Sequence, residues 1–450
     1  MDYLAALDYL KGIELIGIKP ELETCRAILP HLPLATTLSA IKFIQVAGTN
    51  GKGSTAHFLA AILKAHGSLV GLFTSPHLCD IRERILINNV LVSQSLFAQG
   101  VTAIEQTARQ LLHQQVIQRM PTYFEYTFLT ALYCFAHQHV QVVVLEVGMG
   151  GRWDATTAIT PDVTVITTIS RDHTAILGAH PRDIAAEKAG IIKTGVPIVC
   201  ACPPRSIAQK VIKAVAHQHN APFFPVIDAH NRLTLQGDSP PYQCIYTTAD
   251  TPPQYTFSLF LNGAHQARNA ATAIKTLRVF AALPHINMSF THDTFRQGIA
   301  ECTVPGRIEV FSSLIPPVII DGAHNVQSIT ALTQYLQQQQ KKSLTLIFGV
   351  LADKNYPKMI RLLLPYIRHV ILTVPLSPRA LPSLDLVKLF AKNSDPKTVF
   401  VRDTPEEAFS TARQFNKEIL ITGSFYLVGV LRDIVIKTIS NEKRNIRNPE

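Results

Sequence analysis

Glycines, a lysine and hydroxyl side chains stand together in residues 48–55, Gly-Thr-Asn-Gly-Lys-Gly-Ser-Thr. This segment follows an apolar β-branched run and opens a helical pattern. Backbone N–H groups in such a loop can surround phosphates, and the helix N-terminus adds positive potential. Lys52 can reach the outer phosphates of a nucleotide, and the hydroxyl of Ser54 or Thr55 can face a metal ion. Gly53 departs from the usual spacing, and a glycine-rich turn is the alternative, but the strand and helix on either side favour nucleotide binding.

Charged side chains end two further apolar runs. Glu146 ends one run, and Asp172 with His173 follow the next. Ligands of open α/β sheets bind outside the carboxyl ends of strands, so we expect these side chains to share one sheet edge with the phosphate loop. A buried carboxylate needs a cation. Magnesium is a natural partner of Glu146, and a salt bridge to Arg152 or Lys52 is the alternative. On its own, His173 is better explained as a capping or core histidine.

Apolar runs alternate with helical patterns along the chain, which is typical of α/β layers. Continuous apolar runs predict parallel strands that are buried on both faces. The early strands are predicted at 41–47, 68–73, 140–147 and 163–169, with helices that include 55–64 and 128–137. Lys188 falls on a helix, where its charge alone indicates a solvated residue or an ion-pair partner.

Prolines between 222 and 253 separate short polar segments, and two of these, 226–236 and 242–261, are predicted antiparallel strands that extend or decorate the first sheet. A helix is predicted over 265–282. Later strands are predicted at 318–321, 344–350, 369–374, 398–401 and 419–422. Their spacing of roughly 20–30 residues matches βαβ units and predicts a second parallel sheet.

The predicted fold class is therefore α/β with two domains. Residues 1–302 would form a phosphate-loop ATPase-type domain with a parallel sheet and a small antiparallel extension. Residues 303–450 would form a Rossmann-like α/β domain, and the boundary lies where Pro305 and Gly306 interrupt the pattern.

The chain of 450 residues has 42 Lys and Arg against 32 Asp and Glu, a net charge of +10, yet only 16% of its residues are charged. The basic residues are scattered, which argues against nucleic acid and favours small polyanionic ligands. No apolar run reaches the roughly 18 residues of a membrane span, and the start of the chain does not have the pattern of a signal peptide. We therefore expect no nucleic-acid or membrane partner.

Seven cysteines occur without a Cys-x-x-Cys pair, which argues against a disulfide framework and a structural zinc site. Cys200 and Cys202 end an apolar run, where small buried residues are expected rather than reactive ones. This usage predicts a reducing cytoplasm.

Nine motifs occur in an order that resembles one family. They are residues 48–54, Thr-Ser-Pro-His-Leu at 74–78, Thr-Tyr-Phe-Glu at 122–125, Glu-Val-Gly-Met-Gly-Gly-Arg at 146–152, Asp-His-Thr at 172–174, Glu-Lys-Ala-Gly at 187–190, His-Gln with Asn at 265–269, Pro-Gly-Arg at 305–307 and Asp-Gly-Ala-His-Asn at 321–325. The chain resembles the folylpolyglutamate synthases, and most of all the bifunctional dihydrofolate/folylpolyglutamate synthases, within the Mur ligase group. The resemblance spans roughly residues 10–430.

The resemblance implies a role for each matching residue. The ATP-binding residues would be Thr49, Asn50, Gly51, Lys52, Gly53, Ser54, Asn269, Arg307 and Asp321, with His324 nearby. Magnesium, in two sites, would be held by Ser54, Ser75, Glu146, His173 and a carbamylated Lys188. The catalytic residues would be Lys52, His173 and Lys188. The pterin site would be lined by Thr122, Tyr123, Phe124, Arg152 and Asp154. Three residues depart from the family pattern, namely Trp153, Thr157 and Arg171.

The implied activity is ATP-dependent formation of an amide bond to L-glutamate through an acyl phosphate. The acceptor carboxylate would belong to dihydropteroate or to the terminal glutamate of a folate, so the partners are small molecules, and the family precedent favours a monomer. Two alternatives remain open. A Mur-type ligase of a UDP-muramoyl substrate would need a further N-terminal domain, for which the loop at Gly48 is expected to leave no room. A phosphate-loop NTPase would hydrolyse nucleotide without glutamate.

Overall fold

Eight strands form the larger of the two main sheets in this computed structural model, which describes residues 1–14, 20–172, 174–249, 254–393 and 398–447. Their order across the sheet is β4-β3-β2-β5-β1-β6-β7-β8, and all neighbours are parallel except at the β2-β3-β4 edge. The strands are β1 (Lys42–Ala47), β2 (Val70–Phe73), β3 (Ile85–Ile87), β4 (Val90–Leu91), β5 (Val142–Glu146), β6 (Val163–Ile166), β7 (Ile198–Cys200) and β8 (Phe223–Pro225). The predicted early strands are confirmed within a few residues at each end.

Helices cover both faces of this sheet, and the central strands β1 and β5 are buried as the continuous apolar runs predicted. The helices of this half are α1 (Tyr3–Glu14), α2 (Glu23–Ile28), α3 (Ala35–Ala40), α4 (Lys52–Ala65), α5 (Gln94–His113), α6 (Tyr123–His137), α7 (Thr174–Leu177), α8 (Pro181–Ala189), α9 (Ile207–Gln218), α10 (His265–Ala281) and α11 (His292–Ala300). All seven cysteines are free, and six of them, including Cys200 and Cys202, are buried.

A separate sheet of three antiparallel strands follows, made of β9 (Arg232–Gln236), β10 (Tyr242–Thr247) and β11 (Gln254–Leu259). The prediction that this region extends or decorates the first sheet is confirmed in its second form, because these strands pair with one another and not with the first sheet. Alternate residues of β10 and β11 are buried, and their apolar face joins the core beneath α4 and α10. One-sided burial suits a covering layer better than a continuation of a sheet that is buried on both faces.

The second half forms a sheet of six strands in the order β12-β13-β17-β14-β15-β16, parallel except for the edge strand β12. The strands are β12 (Glu309–Phe311), β13 (Val318–Ile320), β14 (Leu344–Phe348), β15 (Ile367–Leu372), β16 (Val399–Val401) and β17 (Ile419–Thr422). The helices are α12 (Val326–Gln338), α13 (Tyr356–Leu363), α14 (Ser383–Asn393), α15 (Pro405–Gln414) and α16 (Phe425–Arg447). The connection between the two halves runs from the end of α11 to the start of β12.

The two parallel sheets present the carboxyl ends of their strands to each other. In the first sheet the register pairs Val46 with Glu146 and Ala47 with Ile166, which brings the phosphate loop, Glu146 and the segment after β6 to one edge. Segments that follow β13, β14 and β17 face them from the second sheet. In the described part of the chain, no helix is both long enough and apolar enough to cross a membrane.

Candidate active site

The phosphate loop connects β1 directly to α4, and two of its glycines have positive φ angles, +149° at Gly48 and +83° at Gly51. A Cβ atom added to Gly48 would lie 1.9 Å from Oγ1 of Thr167, so this position has no room for a side chain. Gly51 precedes the helix in the left-handed conformation, and α4 therefore begins at Lys52, three residues before the predicted start. These local features leave the first N–H groups of α4 facing the cavity.

Neighbouring strand ends hold the loop in shape. The backbone N–H of Thr49 donates to the carbonyl of Thr168 over 2.6 Å, and the hydroxyl of Thr167 donates to the carbonyl of Asn50 over 2.8 Å. Asn269 on α10 contacts the loop from its other side, since a Cβ on Gly51 would come within 2.6 Å of the Asn269 Oδ1 atom. Asn269 therefore supports the backbone of the loop from outside the cavity lining.

Glu146 is buried at the end of β5, 4% exposed, and its Oε2 accepts the backbone N–H of Ser75 over 3.1 Å. Burial raises the pKa of Glu146, and the nearby charge of Lys52 opposes that rise. The alternative partner Arg152 instead pairs with Glu187, at 3.3 Å. Arg307 and Arg84 act on Glu146 in the same direction as Lys52, which has the largest effect of the three.

Lys188 on α8 is buried, 4% exposed, and lines the same cavity. Burial and the nearby charge of Lys52 lower its pKa to about 7, while Asp172 and Asp154 oppose the change. Within the described ranges its ammonium group has no hydrogen-bond or ion-pair partner. Both interpretations from charge alone, a solvated helix residue and an ion-pair partner, are therefore wrong here.

The cavity between the two halves has a volume of about 320 Å³. The first half contributes Gly48, Thr49, Asn50, Gly51, Lys52, Gly53, Ser75, Pro76, Arg84, Phe124, Glu146, Gly148, Met149, Asp172, Leu177 and Lys188. The second half contributes Arg307, His324, Leu351, Lys354, Arg379, Ser424, Phe425 and Tyr426. Most of the predicted nucleotide and metal residues thus share one space.

Asp321, Ser54 and Arg152 are among the predicted site residues that do not line this cavity. Asp321 is buried and accepts the backbone N–H groups of Ile308 and Ala323, each at 2.9 Å. Ser54 lies in the buried first turn of α4. His173 lies outside the described residues. Arg152 is half exposed at its ion pair with Glu187.

Two groups from the second half face the phosphate loop. The Arg307 guanidinium lies 4.6 Å from the centre of the Phe425 ring. His324 donates from Nδ1 to the carbonyl of Gly322 over 2.8 Å, and its ring lies 5.2 Å from that of Phe425. Phe425 therefore packs against both Arg307 and His324. In the described part of the second half, these are the two predicted nucleotide-binding residues that line the cavity.

A buried polar network joins the two halves across the cavity. Lys354 donates to Oδ1 of Asp172 over 2.6 Å, and both side chains are almost fully buried. The Asn325 amide donates to Oδ2 of Asp172 over 2.9 Å and to Oδ1 of Asn50 over 3.0 Å. This network connects the phosphate loop to the first turn of α12 and to the segment after β14.

The predicted pterin residues Thr122, Tyr123 and Phe124 lie at the start of α6. Phe124 lines it, with its ring centre 5.8 Å from that of Phe73. Thr122 caps α6 through a reciprocal pair of hydrogen bonds with Glu125. The Tyr123 ring lies 5.7 Å from the Arg84 guanidinium carbon. Of these three predicted pterin residues, Phe124 is the one that lines the cavity.

The loop after β5 shows what Asp154 and Thr157 do. Asp154 is buried, accepts the N–H of Met149 over 3.0 Å and caps the following turn. The Thr157 hydroxyl donates to the carbonyl of Gly151 over 2.7 Å and accepts the Gln45 amide over 2.9 Å. Thr157, one of the three departures from the family pattern, thus holds the loop in place. Trp153 in the same loop is 48% exposed, and Arg171 is exposed.

Sequence reasoning missed Lys354, Arg84 and the segment around Phe425. Lys354 and Phe425 follow β14 and β17, so the rule that ligands bind beyond carboxyl strand ends could have found them. Arg84 gave no such signal. It donates to Nδ1 of His77 over 2.9 Å, and burial together with the Arg84 charge lowers the pKa of His77 to about 4.

Magnesium prefers oxygen ligands, and the candidate residues Ser54, Ser75 and Glu146 supply two hydroxyls and a carboxylate. Over the described ranges, no group of three or more His, Cys, Asp or Glu side chains is placed to hold a metal ion. Oxygen donors such as one carboxylate and hydroxyl groups suit Mg²⁺ better than a transition metal.

Two family models match most of the chain. The Mur ligase middle domain matches residues 46–277, and the Mur ligase, glutamate ligase domain, matches residues 306–425. The first match covers the phosphate loop, Glu146 and Lys188, and the second covers Arg307 and the segment after β14.

Individual relatives match over nearly their whole length. The dihydrofolate synthase/folylpolyglutamate synthase of Bacillus subtilis is 33% identical over 443 residues, which cover 96% of this chain and 98% of the relative. The folylpolyglutamate synthase of Lacticaseibacillus casei is 34% identical over 420 residues, 90% and 94% of the two chains.

Solved structures agree with these matches. The Mycobacterium tuberculosis folylpolyglutamate synthase complexed with ADP superposes with a TM-score of 0.86 at 30% identity, over 96% of this chain and 99% of the other. Escherichia coli FolC in complex with DHPP and ADP superposes with a TM-score of 0.83 at 27% identity, over 97% and 98% of the chains.

Proposed function

Because this chain belongs to the dihydrofolate synthase/folylpolyglutamate synthase family of Mur ligases, we propose how its cavity joins L-glutamate to a folate. The protein is an ATP-dependent ligase that adds glutamate to folates. The observation that supports the details is the single cavity in which the phosphate loop, Glu146 and Lys188 face Arg307.

The first step activates a carboxylate, because hydroxide is a poor leaving group. A carboxylate oxygen of dihydropteroate, or of a folate's terminal glutamate, attacks the γ-phosphorus of ATP, and the bond to the ADP oxygen breaks. The negative charge that spreads over the transferred phosphoryl group is balanced by Lys52 and by the N–H groups that open α4. Arg307 adds a second cation from the opposite side of the cavity.

The second step forms the amide. The neutral amine of L-glutamate attacks the acyl carbon, inorganic phosphate leaves, and the amine loses a proton. Water would destroy the acyl phosphate, so the cavity must stay closed during this step. The network of Asp172, Asn325 and Lys354 supports such closure, since it joins the two halves at buried positions.

Magnesium fits the oxygen donors of this site, and we propose Ser54, Ser75, Glu146, His173 and carbamylated Lys188 as the residues that hold it. When bound, Mg²⁺ would neutralise phosphate charge during transfer. In this proposal Glu146 is oriented for that task by the Ser75 N–H.

Carbamylation of Lys188 is supported by the burial of its unpaired amine. A neutral amine adds to carbon dioxide, forming an N–C bond and releasing one proton, and a pKa near 7 leaves much of the Lys188 amine neutral at physiological pH. The product is an anion on a side chain that is 4% exposed as lysine, and it would balance the nearby charge of Lys52.

The pterin end of the substrate is proposed to lie near Phe124, whose ring lines the cavity. Thr122, Tyr123, Arg152 and Asp154 would shape that end of the site rather than all contact the ligand. We further propose that the protein acts as a cytoplasmic monomer with domains 1–302 and 303–450.

One experiment tests the proposal directly. Purified protein is given ATP and glutamate with dihydropteroate or tetrahydrofolate, each separately, and phosphate release and products are measured. We expect release that depends on both glutamate and a pterin carboxylate. Release unaffected by either would contradict the folate assignment and favour a simple NTPase, and activity with a UDP-muramoyl substrate would favour the other ligase class.

The metal assignment has its own test. Ser54→Ala and Glu146→Ala should each weaken magnesium-dependent turnover, with Ser39→Ala, a serine on α3 outside the cavity lining, as the control. Full activity of both variants would show that the metal site is elsewhere.

A further inference from the structure

Arg307 lies between two residues whose backbone is left-handed, with φ angles of +67° at Gly306 and +46° at Ile308. Glycine adopts this conformation readily, but a β-branched residue is an outlier there because its side chain crowds the backbone. Ile308 is also 1% exposed. Conformations of this kind persist where surrounding contacts over-determine them, and they cluster at functional sites.

Contacts from the second half hold the backbone on both sides of Arg307. The N–H of Gly306 donates to Oε2 of Glu309 over 2.9 Å, and the N–H of Ile308 donates to Oδ2 of Asp321 over 2.9 Å. Burial raises the pKa of Asp321, and the charge of Arg307 opposes that rise. Asp321 therefore acts on the backbone beside Arg307, although the sequence predicted a contact with the nucleotide.

The first half supplies one further contact to this backbone. The Asn262 amide donates to the carbonyl of Ile308 over 2.9 Å. The neighbouring Gly263 faces the Ile308 side chain so closely that a Cβ on Gly263 would lie 3.1 Å from Cδ1 of Ile308. The turn at 262–263 thus contacts both the carbonyl and the side chain of the strained residue.

The Arg307 side chain has few restraints of its own. It rests on the Phe425 ring and lines the cavity, and among the residues that the structure describes it forms no ion pair. The position of the guanidinium group therefore depends on the direction in which the side chain leaves the backbone. That direction depends on the backbone of Ile308, which Asp321 holds at its N–H and Asn262 holds at its carbonyl.

We propose that Asn262 is a positioning residue, which holds the strained Ile308 peptide and so places the Arg307 guanidinium against the phosphates. Asn262 belongs to the half that carries the phosphate loop, whereas Arg307 belongs to the other half. The hydrogen bond therefore couples the position of the second cation to the half that binds ATP. This inference rests on the proposed function, in which Arg307 meets the phosphates.

A double-mutant cycle tests the proposal, using full-length protein and the glutamate-dependent assay. We expect Asn262→Ala to lower kcat/KM for ATP by roughly three- to tenfold, the loss of about one hydrogen bond. Asn262→Asp, equal in size but unable to donate the amide hydrogen, should lose as much. In an Arg307→Ala background, Asn262→Ala should cost nothing more, because the group that it positions is gone. Asn287→Ala, near the opposite ends of the strands, is the control.

A second pair of variants addresses the strain itself. Ile308→Gly frees the backbone to leave the left-handed region and should lower kcat/KM as Asn262→Ala does. Ile308→Val keeps the β-branched restraint and should stay within about twofold of the parent. If Asn262→Ala unfolds in a thermal scan, this pair, measured with and without Arg307→Ala, decides the question.

The outcomes distinguish a failure of the positioning role from a failure of the proposed function. The positioning role alone would be overturned if the losses of the two single variants multiply in the double variant. It would also be overturned if Asn262→Ala is fully active while Arg307→Ala is impaired. Full activity of Arg307→Ala would remove Arg307 from the proposed function and the inference with it.

Discussion

From the burial of the Lys188 amine we predict how much the free energy of unfolding changes when this lysine is replaced. Replacing Lys188 with Met removes a group that must lose its proton, or be buried charged, when the protein folds. The variant should therefore be more stable than the parent wherever the unfolded chain would carry that charge. The experiment uses protein free of nucleotide in buffer depleted of carbon dioxide, so that no carbamate forms.

The magnitude follows from the lowered pKa. Burial and the charge of Lys52 take the pKa of Lys188 from its ordinary 10.5 to about 7. At pH 8 the amine is protonated in the unfolded chain and mostly neutral in the folded protein. Each pH unit below 10.5 costs the folded state about 1.36 kcal/mol, so the cost at pH 8 is about 3 kcal/mol. The cost is fully present below pH 7 and disappears as the pH rises from 7 through 10.5.

Urea unfolding at several pH values measures this cost as the difference between Lys188→Met and the parent. We expect the variant to be more stable by about 3 kcal/mol at pH 8, with the difference closing towards pH 10.5. Lys11→Met, an exposed lysine on α1, should give no comparable difference. Equal stability of Lys188→Met and the parent at every pH would refute the reasoning, because it would mean that the amine is hydrated.

Three further predictions concern activity and the interface. Lys188→Ala should lose most activity and recover part of it with added short carboxylic acids, which can replace a carbamate; an unaffected variant would make Lys188 an ordinary lysine. Gly48→Ala should abolish ATP binding in a titration and destabilise the fold by more than about 2 kcal/mol, because the new methyl group collides with Thr167. The control Gly12→Ala places its methyl group where no atom lies within 4 Å, and this variant should bind ATP normally. Lys354→Met should lower the free energy of unfolding by roughly 3 kcal/mol, because it removes the cation that the buried Asp172 carboxylate contacts, and adding Asp172→Asn should restore most of it; an unchanged unfolding midpoint for Lys354→Met would contradict the buried pair.

Boundaries of the elements show what local patterns can and cannot predict. The run at 41–47 is a strand, β1, as predicted, because continuous burial is written into its composition. The start of α4 was predicted at 55 and lies at Lys52, because the left-handed Gly51 lets the helix begin inside the glycine motif. The segment 242–261 holds two paired strands instead of one, since its alternating burial becomes visible only when a partner strand is present.

The sequence by itself determined the phosphate loop, the carboxylate of Glu146 at a strand end and the family. The first two depend on residues close together in the chain, where local backbone geometry decides the outcome, and the family follows from the order of short motifs along the chain. Tertiary structure alone decided that Lys188 is buried without a described partner, that Lys354 pairs with Asp172 across 182 residues, and that Asn262 holds the strained peptide beside Arg307. These facts arise where two separately folded sheets meet, because burial and pairing depend on groups that no local pattern brings together.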